Sequence, residues 1–203
     1  LPLARPDIRE EDIPLVVEVL RSGMLVQGVY VEKLENAFAS YHSMPHAIAV
    51  SNGTATLHLA LKVLGIGPGD EVIVPAFSYT ATANVVELVG ATCVFVDVDD
   101  NTFNLDTAQL EASINGSTKA IIPVHEFGMA CDIEKVCEIA AKYGIPVIED
   151  AACALGAMQN GRRVGTFGNM ASFSLHPRKS ITSGEGGILL ANEDILARKL
   201  RQL

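Results

Sequence analysis

The chain has 203 residues, of which 49% are hydrophobic and 19% are charged. This composition supports a sizeable core and excludes an intrinsically disordered chain, which would be more polar and more charged. The formal net charge of −9 argues against nucleic acid or an anionic membrane as the main partner, because both bind clustered lysine and arginine.

Two helices, Glu10–Ser22 and Val31–Tyr41, are predicted before the first strand. Short apolar runs bounded by turn residues then recur along the chain, and each run predicts a strand. These runs are Ala47–Val50, Glu71–Pro75, Thr92–Val98, Lys119–Val124, Pro146–Glu149, Met170–Leu175 and Gly187–Ala191. Most of them are nearly continuous rather than alternating, as in the strands of a parallel sheet that is covered on both faces.

Helical patterns separate the predicted strands. The predicted helices are Thr54–Leu64, Thr80–Val89, Asp106–Ser113 and Asp132–Tyr143, the last with Asp132 as its N-cap. Alternating strands and helices predict an α/β fold, here a three-layer α/β/α domain with a mostly parallel sheet of about seven strands. A glycine-rich loop without a helix joins the last two strands, so one of them is expected to run antiparallel.

The two ends of the chain carry further expectations. The opening stretch Leu1–Arg5 has no apolar signal-peptide segment, and no apolar run approaches the length of a membrane span. These features predict a cytoplasmic protein without a membrane partner. At the other end, the charged helical segment Asp194–Leu203 has no closing turn, so the chain is expected to be cut off. A single domain over residues 1–203, opened by a helical segment, is predicted.

The four cysteines predict neither a metal site nor a disulfide framework. Cys93, Cys131, Cys137 and Cys153 form no C-x-x-C pair, and no histidine cluster accompanies them at zinc spacing. Buried free thiols in a reducing compartment are expected instead.

Residues that follow the predicted strands are candidates for a site, because ligands of open α/β sheets bind beyond the carboxyl ends of the strands. After the first strand, Gly53 and Thr54 open a helix whose free N–H groups and dipole favour a phosphate. An ordinary N-cap by Ser51 or Thr54 is the alternative. After the second strand, Tyr79 is a candidate to stack on a flat cofactor ring, whereas Phe77 is expected to pack in the core.

Carboxylates and a lysine follow two later strands. Glu149 and Asp150 are costly to bury without a partner, and a carboxylate aimed at a protonated pyridine nitrogen has such a partner. The alternative for Asp150 is a salt bridge or a helix N-cap. After the sixth strand, Ser174 is placed to donate to a phosphate, and Lys179 lies in an irregular loop from which it can reach over the sheet edge. The alternative for Lys179 is a solvated surface lysine.

Five segments of the chain match, in the same order, those of a known enzyme family. They are LPLARPDIREEDI, SNGTATLHLAL, GPGDEVIVPAFSYTATANVV, VIEDAACALGA and SFSLHPRKSITSGEGG, and they span essentially the whole chain. In this combination the sequence resembles the DegT/StrS-type sugar aminotransferases, which are pyridoxal 5′-phosphate (PLP) enzymes. The resemblance implies the large, PLP-binding domain of a fold type I enzyme.

The resemblance also implies a role for each candidate residue. Lys179 is implied to be the catalytic lysine that forms the Schiff base with PLP. The other implied PLP contacts are Gly53, Thr54 and Ser174 to the phosphate, Asp150 to the ring nitrogen, Tyr79 to the ring face and Cys153 near the ring hydroxyl. Cys153 departs from the family, which usually has Gln or His there, and Glu126 stands where the family has an apolar or uncharged residue. Glu126 is expected either to alter substrate contacts or to point into solvent, while His125 and His176 are expected to be structural.

The activity that the resemblance implies is transfer of an amino group from an amino acid, implied to be L-glutamate, to a keto-sugar nucleotide. The product would be an amino-deoxy sugar for a surface polysaccharide or a glycosylated metabolite. The family further implies a homodimer with the active site at the interface, and a C-terminal small domain that this chain lacks. Two alternatives are a PLP-dependent sugar dehydratase, in which histidine typically replaces the Schiff-base lysine, and a non-catalytic PLP-binding regulatory protein. The presence of Lys179 favours transfer.

Overall fold

Two helices precede the sheet in the computed structural model, which describes residues 5–203. The segment Leu1–Ala4, most of the opening stretch without signal-peptide character, lies outside the described residues. Helix α1 (Ile13–Ser22) begins later than predicted, with a proline in its first turn, where a missing N–H costs nothing. Helix α2 (Val29–His42) follows and packs beside the first strand.

All seven predicted strands are present, together with a short hairpin that was not predicted. The strands are β1 (His46–Val50), β2 (Glu71–Pro75), β3 (Thr92–Val96), β4 (Thr118–Ile121), β5 (Ile148–Asp150), β6 (Met158–Gln159), β7 (Arg162–Arg163), β8 (Met170–Ser174) and β9 (Gly187–Ala191). Strand β4 ends before its predicted boundary at Val124, because Pro123 has no N–H to donate to a neighbouring strand.

The helices between and after the strands also agree with the predicted pattern. They are α3 (Gly53–Val63), α4 (Ala81–Leu88), α5 (Thr107–Leu110), α6 (Ile133–Tyr143) and α7 (Asp194–Leu200). The predicted Asp106–Ser113 helix is shorter than expected, because α5 gives way to a 3₁₀ turn over Glu111–Ser113. The predicted N-cap of α6 is confirmed, since the Asp132 carboxylate accepts a hydrogen bond from the Lys135 N–H at 3.3 Å.

The seven main strands follow one another in the order β1-β9-β8-β5-β4-β2-β3. Two hydrogen-bonded groups, β1-β9-β8-β5 and β3-β2-β4, are joined through parallel bridges that pair Ile121 with Val147 and Val124 with Asp150. Strand β9 runs antiparallel to both of its neighbours, whereas β2 is parallel to β3 and β4, and β5 is parallel to β8. The expectation that one of the last two strands is antiparallel is therefore confirmed.

Helices cover both faces of the sheet, because successive strand residues point to opposite faces. Helices α3, α4 and α7 pack on one face over side chains that include Val72, Ile148 and Leu189. Helices α2 and α6 pack on the other face, over Phe173 and Ile73 respectively. The predicted three-layer α/β/α architecture is confirmed.

The hairpin of β6 and β7 turns at Asn160 and Gly161, which both have positive φ, of 49° and 78°. Two successive residues in this conformation are typical of the two-residue hairpin turns that Asn-Gly favours. The Asn-Gly pair was therefore a signal in the sequence that the strand prediction missed.

Two further features concern the described residues as a whole. Between residues 5 and 203, none of the helices has both the length and the apolar character needed to cross a membrane. Over the same range, no three His, Cys, Asp or Glu side chains are grouped in a way that could hold a metal ion.

Candidate active site

A cavity of about 530 Å³ lies beyond the carboxyl ends of β1, β2, β5 and β8. All seven residues predicted for the site line it: Gly53, Thr54, Tyr79, Asp150, Cys153, Ser174 and Lys179. Residues far apart in the sequence are thus brought to one place by the parallel strands. The lining also includes Ser78, Glu126, His176, Arg178 and Glu185.

The N-terminus of α3 is pressed against the end of β8. A Cβ atom on Gly53 would lie only 2.9 Å from the Cβ of Ser174, so this position requires glycine for close approach. A buried hydroxyl contact between Thr56 and Ser172 joins the same two elements. The close packing of α3 on β8 therefore places the Ser174 hydroxyl beside the start of a helix.

The first turn of α3 is well suited to bind an anion. The N-cap is Asn52, whose Oδ1 accepts from the Ala55 N–H at 2.8 Å, and not Ser51 or Thr54 as the alternative prediction had it. The other N–H groups of a first helical turn have no partner within the helix, and the helix dipole adds positive potential there. Together with the hydroxyls of Thr54 and Ser174, they offer several donors to an anion such as a phosphate. We call Gly53, Thr54 and Ser174 the anion cradle.

Replacing Gly53 with alanine is expected to lower the free energy of unfolding by about 1–3 kcal/mol, the usual cost of overpacking. Alanine normally favours a helix, but here its methyl group would displace Ser174 and the end of β8. Chemical denaturation measures the effect. Gly116→Ala is the matched control, because no atom lies within 4 Å of the position that its methyl group would take and its φ is not positive. Equal stabilities of the two variants would contradict the close packing of α3 on β8.

Asp150 is a buried carboxylate at the base of the cavity, with only 5% of its surface exposed. Its Oδ2 accepts from the Thr82 hydroxyl at 2.9 Å and its Oδ1 from the Ala152 N–H at 3.2 Å. The Thr82 hydroxyl lies 2.8 Å from that of Ser78, so the carboxylate is fixed by a short chain of hydroxyls. Burial raises the pKa of Asp150, and the hydrogen bonds from Thr82 and Ala152 offset only part of that effect. Among residues 5–203, no lysine, arginine or histidine forms an ion pair with the Asp150 carboxylate.

The neighbouring carboxylate, Glu149, has a structural role. Its oxygens accept from three backbone N–H groups of the loop after β7, those of Gly165, Phe167 and Gly168. It also contacts Nε2 of the fully buried His125 at 3.0 Å. Because the Cys131 N–H donates to His125 Nδ1, the proton of the neutral ring is on Nε2, which donates to Glu149. His125 also lines the cavity, but both of its ring nitrogens have partners, which agrees with the expected structural role.

Lys179 is half-buried rather than a solvated surface lysine. In the loop, the backbone N–H of Lys179 donates a hydrogen bond to the carbonyl oxygen of His176. The side-chain Nζ of Lys179 lies 3.0 Å from the sulfur of Cys153. Cys153 itself is exposed, so the expectation that the cysteines are buried is wrong at this position. The reason is its place in the turn after β5, at the cavity wall.

The two aromatic candidates after β2 lie at the surface. Tyr79 lines the cavity with 77% of its surface exposed. Phe77 does not pack in the core as predicted, because the chain leaves the sheet after Pro75. It is 44% exposed and its ring centroid lies 5.4 Å from that of Phe103 and 6.0 Å from that of Phe127.

Glu126 does not point into solvent, since only 8% of its surface is exposed and it lines the cavity. Burial raises its pKa, and the charge of Asp150 acts in the same direction. His176 is half-buried at the cavity wall, where its Nδ1 accepts from the Arg178 N–H at 3.1 Å and its Nε2 lies 3.7 Å from Glu185. Both ring nitrogens of His176 have neighbours, which agrees with a structural role.

Several residues in or beside this cavity were not predicted from the sequence. Thr82 and Ser78 orient Asp150, but hydroxyls within or before a helix usually cap it or face solvent, so nothing local marked them. Arg178 and Glu185 flank the lysine loop and carried no signal beyond their charge.

The sequence also matches a known family. Residues 6–203 match the DegT/DnrJ/EryC1/StrS aminotransferase family. The chain belongs to this family. The resemblance drawn from the five sequence segments is thereby confirmed.

Individual family members are similar over most of the chain. GDP-perosamine synthase of Caulobacter vibrioides is 52% identical over 176 residues, which cover 87% of this chain and 47% of that protein. UDP-4-amino-4-deoxy-L-arabinose–oxoglutarate aminotransferase of Shewanella sediminis is 45% identical over 203 residues, 100% of this chain and 52% of that protein. The chain therefore spans about half the length of these relatives.

A solved structure confirms the fold. The PLP form of Spr1654 from Streptococcus pneumoniae superposes with a TM-score of 0.95 and 35% sequence identity. The match covers 100% of this chain and 57% of that one. The α/β/α layers described above are thus those of a PLP-binding family member.

Proposed function

We propose that this chain is the PLP-binding part of a sugar-nucleotide aminotransferase. The enzyme would move an amino group from an amino acid, L-glutamate in our proposal, to a keto-sugar nucleotide. The observation that carries the proposal is the convergence of Lys179, Asp150 and the anion cradle in one cavity. An amine, a buried carboxylate and a phosphate site are the three groups that PLP requires of its protein.

The residues present fit PLP at both of its charged ends. The anion cradle would hold the phosphate, since it offers N–H and hydroxyl donors at a helix N-terminus. Asp150, whose pKa is raised by burial, would face the ring nitrogen, and a proton on that nitrogen would stabilise the ionised carboxylate. Tyr79 would cover one face of the ring. When bound, PLP supplies an aldehyde that condenses with amines and a ring that withdraws electrons.

Lys179 is the group of this chain that would carry the proton at the reacting carbon. An amine must be neutral to accept a proton, and an ion pair with a carboxylate would keep it charged. Among residues 5–203, no carboxylate forms an ion pair with Lys179, whose Nζ instead contacts the sulfur of Cys153. In this proposal, Lys179 would both hold the cofactor and move the proton.

The names of two relatives support the choice of substrate. One is a GDP-perosamine synthase, and the other is an aminotransferase that pairs a UDP-linked amino sugar with oxoglutarate. Both names contain a nucleotide-linked amino sugar, and oxoglutarate is what glutamate becomes on losing its amino group. We therefore propose a role in making an amino-deoxy sugar for a surface polysaccharide or a glycosylated metabolite, in the cytoplasm.

A homodimer is part of the same proposal. The exposed rings of Phe77, Phe103 and Phe127 contact one another. In the sequence, Phe77 adjoins Ser78 and Phe127 adjoins Glu126, both of which line the cavity. Clustered apolar surface of this kind is typical of a protein–protein contact. A partner subunit on this surface would lie at the active site.

The alternatives receive less support. A sugar dehydratase of this family would be expected to have histidine in place of Lys179. A non-catalytic PLP-binding regulatory protein would not need both a proton-carrying amine and a buried carboxylate in one cavity. The lysine and Asp150 together favour amino transfer.

The proposal is tested by incubating the intact protein with PLP, glutamate and a panel of keto-sugar nucleotides. We expect oxoglutarate and an amino sugar in equal amounts with at least one member of the panel. Release of water from the sugar without amino transfer would identify a dehydratase. Absence of both reactions over the whole panel, with PLP bound, would support a regulatory role.

A further inference from the structure

The contact between Cys153 and Lys179 joins two chemically reactive side chains. The lysine nitrogen donates to the cysteine sulfur across 3.0 Å, from a segment 26 residues further along the chain. A nitrogen and a sulfur at this distance need only a small movement to form a covalent bond. The pair lies on the wall of an open cavity, where small molecules reach it.

Cys153 differs from the other cysteines in its surroundings. Burial raises the pKa of Cys93 and Cys131, and raises that of Cys137 to about 12. A raised pKa leaves less of the reactive thiolate at these three positions. Cys153 is the exposed cysteine of the chain. Exposure and a neighbouring amine single out this sulfur for oxidation.

We propose that Cys153 and Lys179 form an oxidative modification site, at which a peroxide joins the sulfur to the lysine nitrogen. Hydrogen peroxide first oxidises the Cys153 thiol to a sulfenic acid, and its second oxygen leaves as water. The Lys179 nitrogen then attacks that sulfur. The S–N bond forms, the S–O bond breaks, and the departing oxygen leaves as water with a proton from the amine. Sulfur loses two electrons in total, and the peroxide gains them.

The link is reversible by a thiol. A thiol such as dithiothreitol attacks the sulfur of Cys153, the S–N bond breaks, and the amine leaves with a proton. A second thiol of the reagent then releases the cysteine as a free thiol. The modification would therefore be a switch rather than permanent damage.

The consequence for the cofactor rests on the proposed function. The linked Lys179 has no amine to offer PLP, so peroxide would block loading of the cofactor-free protein. PLP already held by Lys179 would protect the pair, because the amine is then not free to attack sulfur. The cross-link itself requires only the contact between the two side chains.

The test is peptide mapping of cofactor-free protein after treatment with hydrogen peroxide. We expect a joined pair of tryptic peptides, one with Cys153 and one with Lys179, lighter than their sum by two hydrogen atoms. Dithiothreitol should restore the separate peptides. Cys153→Ser should abolish the joined pair, and the control Cys93→Ser, at a half-buried thiol outside the cavity, should keep it.

Other products overturn the proposal. Recovery of Cys153 as a sulfinic or sulfonic acid, or in a disulfide, with Lys179 unmodified, would show that the nitrogen does not capture the sulfur. PLP uptake by the peroxide-treated protein, measured by absorbance, separates the proposed modification site from the proposed function. A cross-link that leaves PLP uptake unchanged would contradict the role of Lys179 in the proposed function while the modification site stands.

Discussion

Lys179→Ala is expected to abolish amino transfer and the absorbance of protein-held PLP. The substitution removes the amine that is proposed both to hold the cofactor and to move the proton. Loss of proton transfer alone typically costs about 10²–10⁴-fold in rate. Initial rates with glutamate and a keto-sugar nucleotide measure the first effect, and an absorbance scan of the purified protein measures the second.

The matched control for this variant is Lys135→Ala. Lys135 lies on α6, exposed and paired with Glu138, away from the cavity. Its removal should leave the rate and the absorbance unchanged. Activity of the Lys179→Ala variant within tenfold of the unmodified protein would contradict the assignment.

Asp150→Asn is expected to have opposite effects on activity and on stability. Removing a preorganised charge from an active site typically costs about 10²–10³-fold in rate, and we expect a loss of this order here. The cofactor-free protein should become more stable at neutral pH, because burial raises the pKa of Asp150 and an amide carries no charge to bury. The Thr82 hydroxyl can rotate to accept from the new amide and donate to Ser78, so the hydroxyl chain is kept.

The stability effect of Asp150→Asn is expected to depend on pH. A carboxyl whose pKa is raised by folding binds more protons in the folded state than in the unfolded state. Stability therefore falls as pH rises from the ordinary carboxyl range through the raised pKa of Asp150. Thermal unfolding of the cofactor-free protein should show the advantage of the Asp150→Asn variant growing with pH, and Asp100→Asn, at an exposed carboxylate, should show none. If Asp150→Asn destabilised the protein at neutral pH, the claim that burying the charged Asp150 carboxylate costs stability would be contradicted.

The strands could be predicted from the sequence because both faces of the sheet are covered. Such strands are continuous apolar runs, and Glu71–Pro75 and Gly187–Ala191 have the bounds that the runs predict. Their order across the sheet could not be predicted, since β1 pairs with β9 from the far end of the chain. Pairing between distant segments depends on three-dimensional packing that no local pattern contains. The hairpin at Asn160 and Gly161 was within reach of turn chemistry and was missed.

The candidate site was predictable in part from the parallel arrangement of the strands. Parallel strands bring their carboxyl ends together, so Asp150 and Ser174 were expected near one another. Local chemistry left Lys179 as an ordinary loop lysine, and its approach to Cys153 depends on how the loop after β8 folds. The prediction that Phe77 packs in the core was wrong. An aromatic residue at a strand end has the same local sequence pattern whether the chain stays in the sheet or leaves it.

Peptide mapping after borohydride reduction tests directly whether Lys179 is the residue that holds PLP. The protein is incubated with PLP, reduced, digested and analysed by mass spectrometry. We expect a phosphopyridoxyl group on Lys179, and its loss from that site when excess amino donor is added before reduction. A label on another lysine such as Lys135, or no label in a protein that retains PLP, would contradict this assignment.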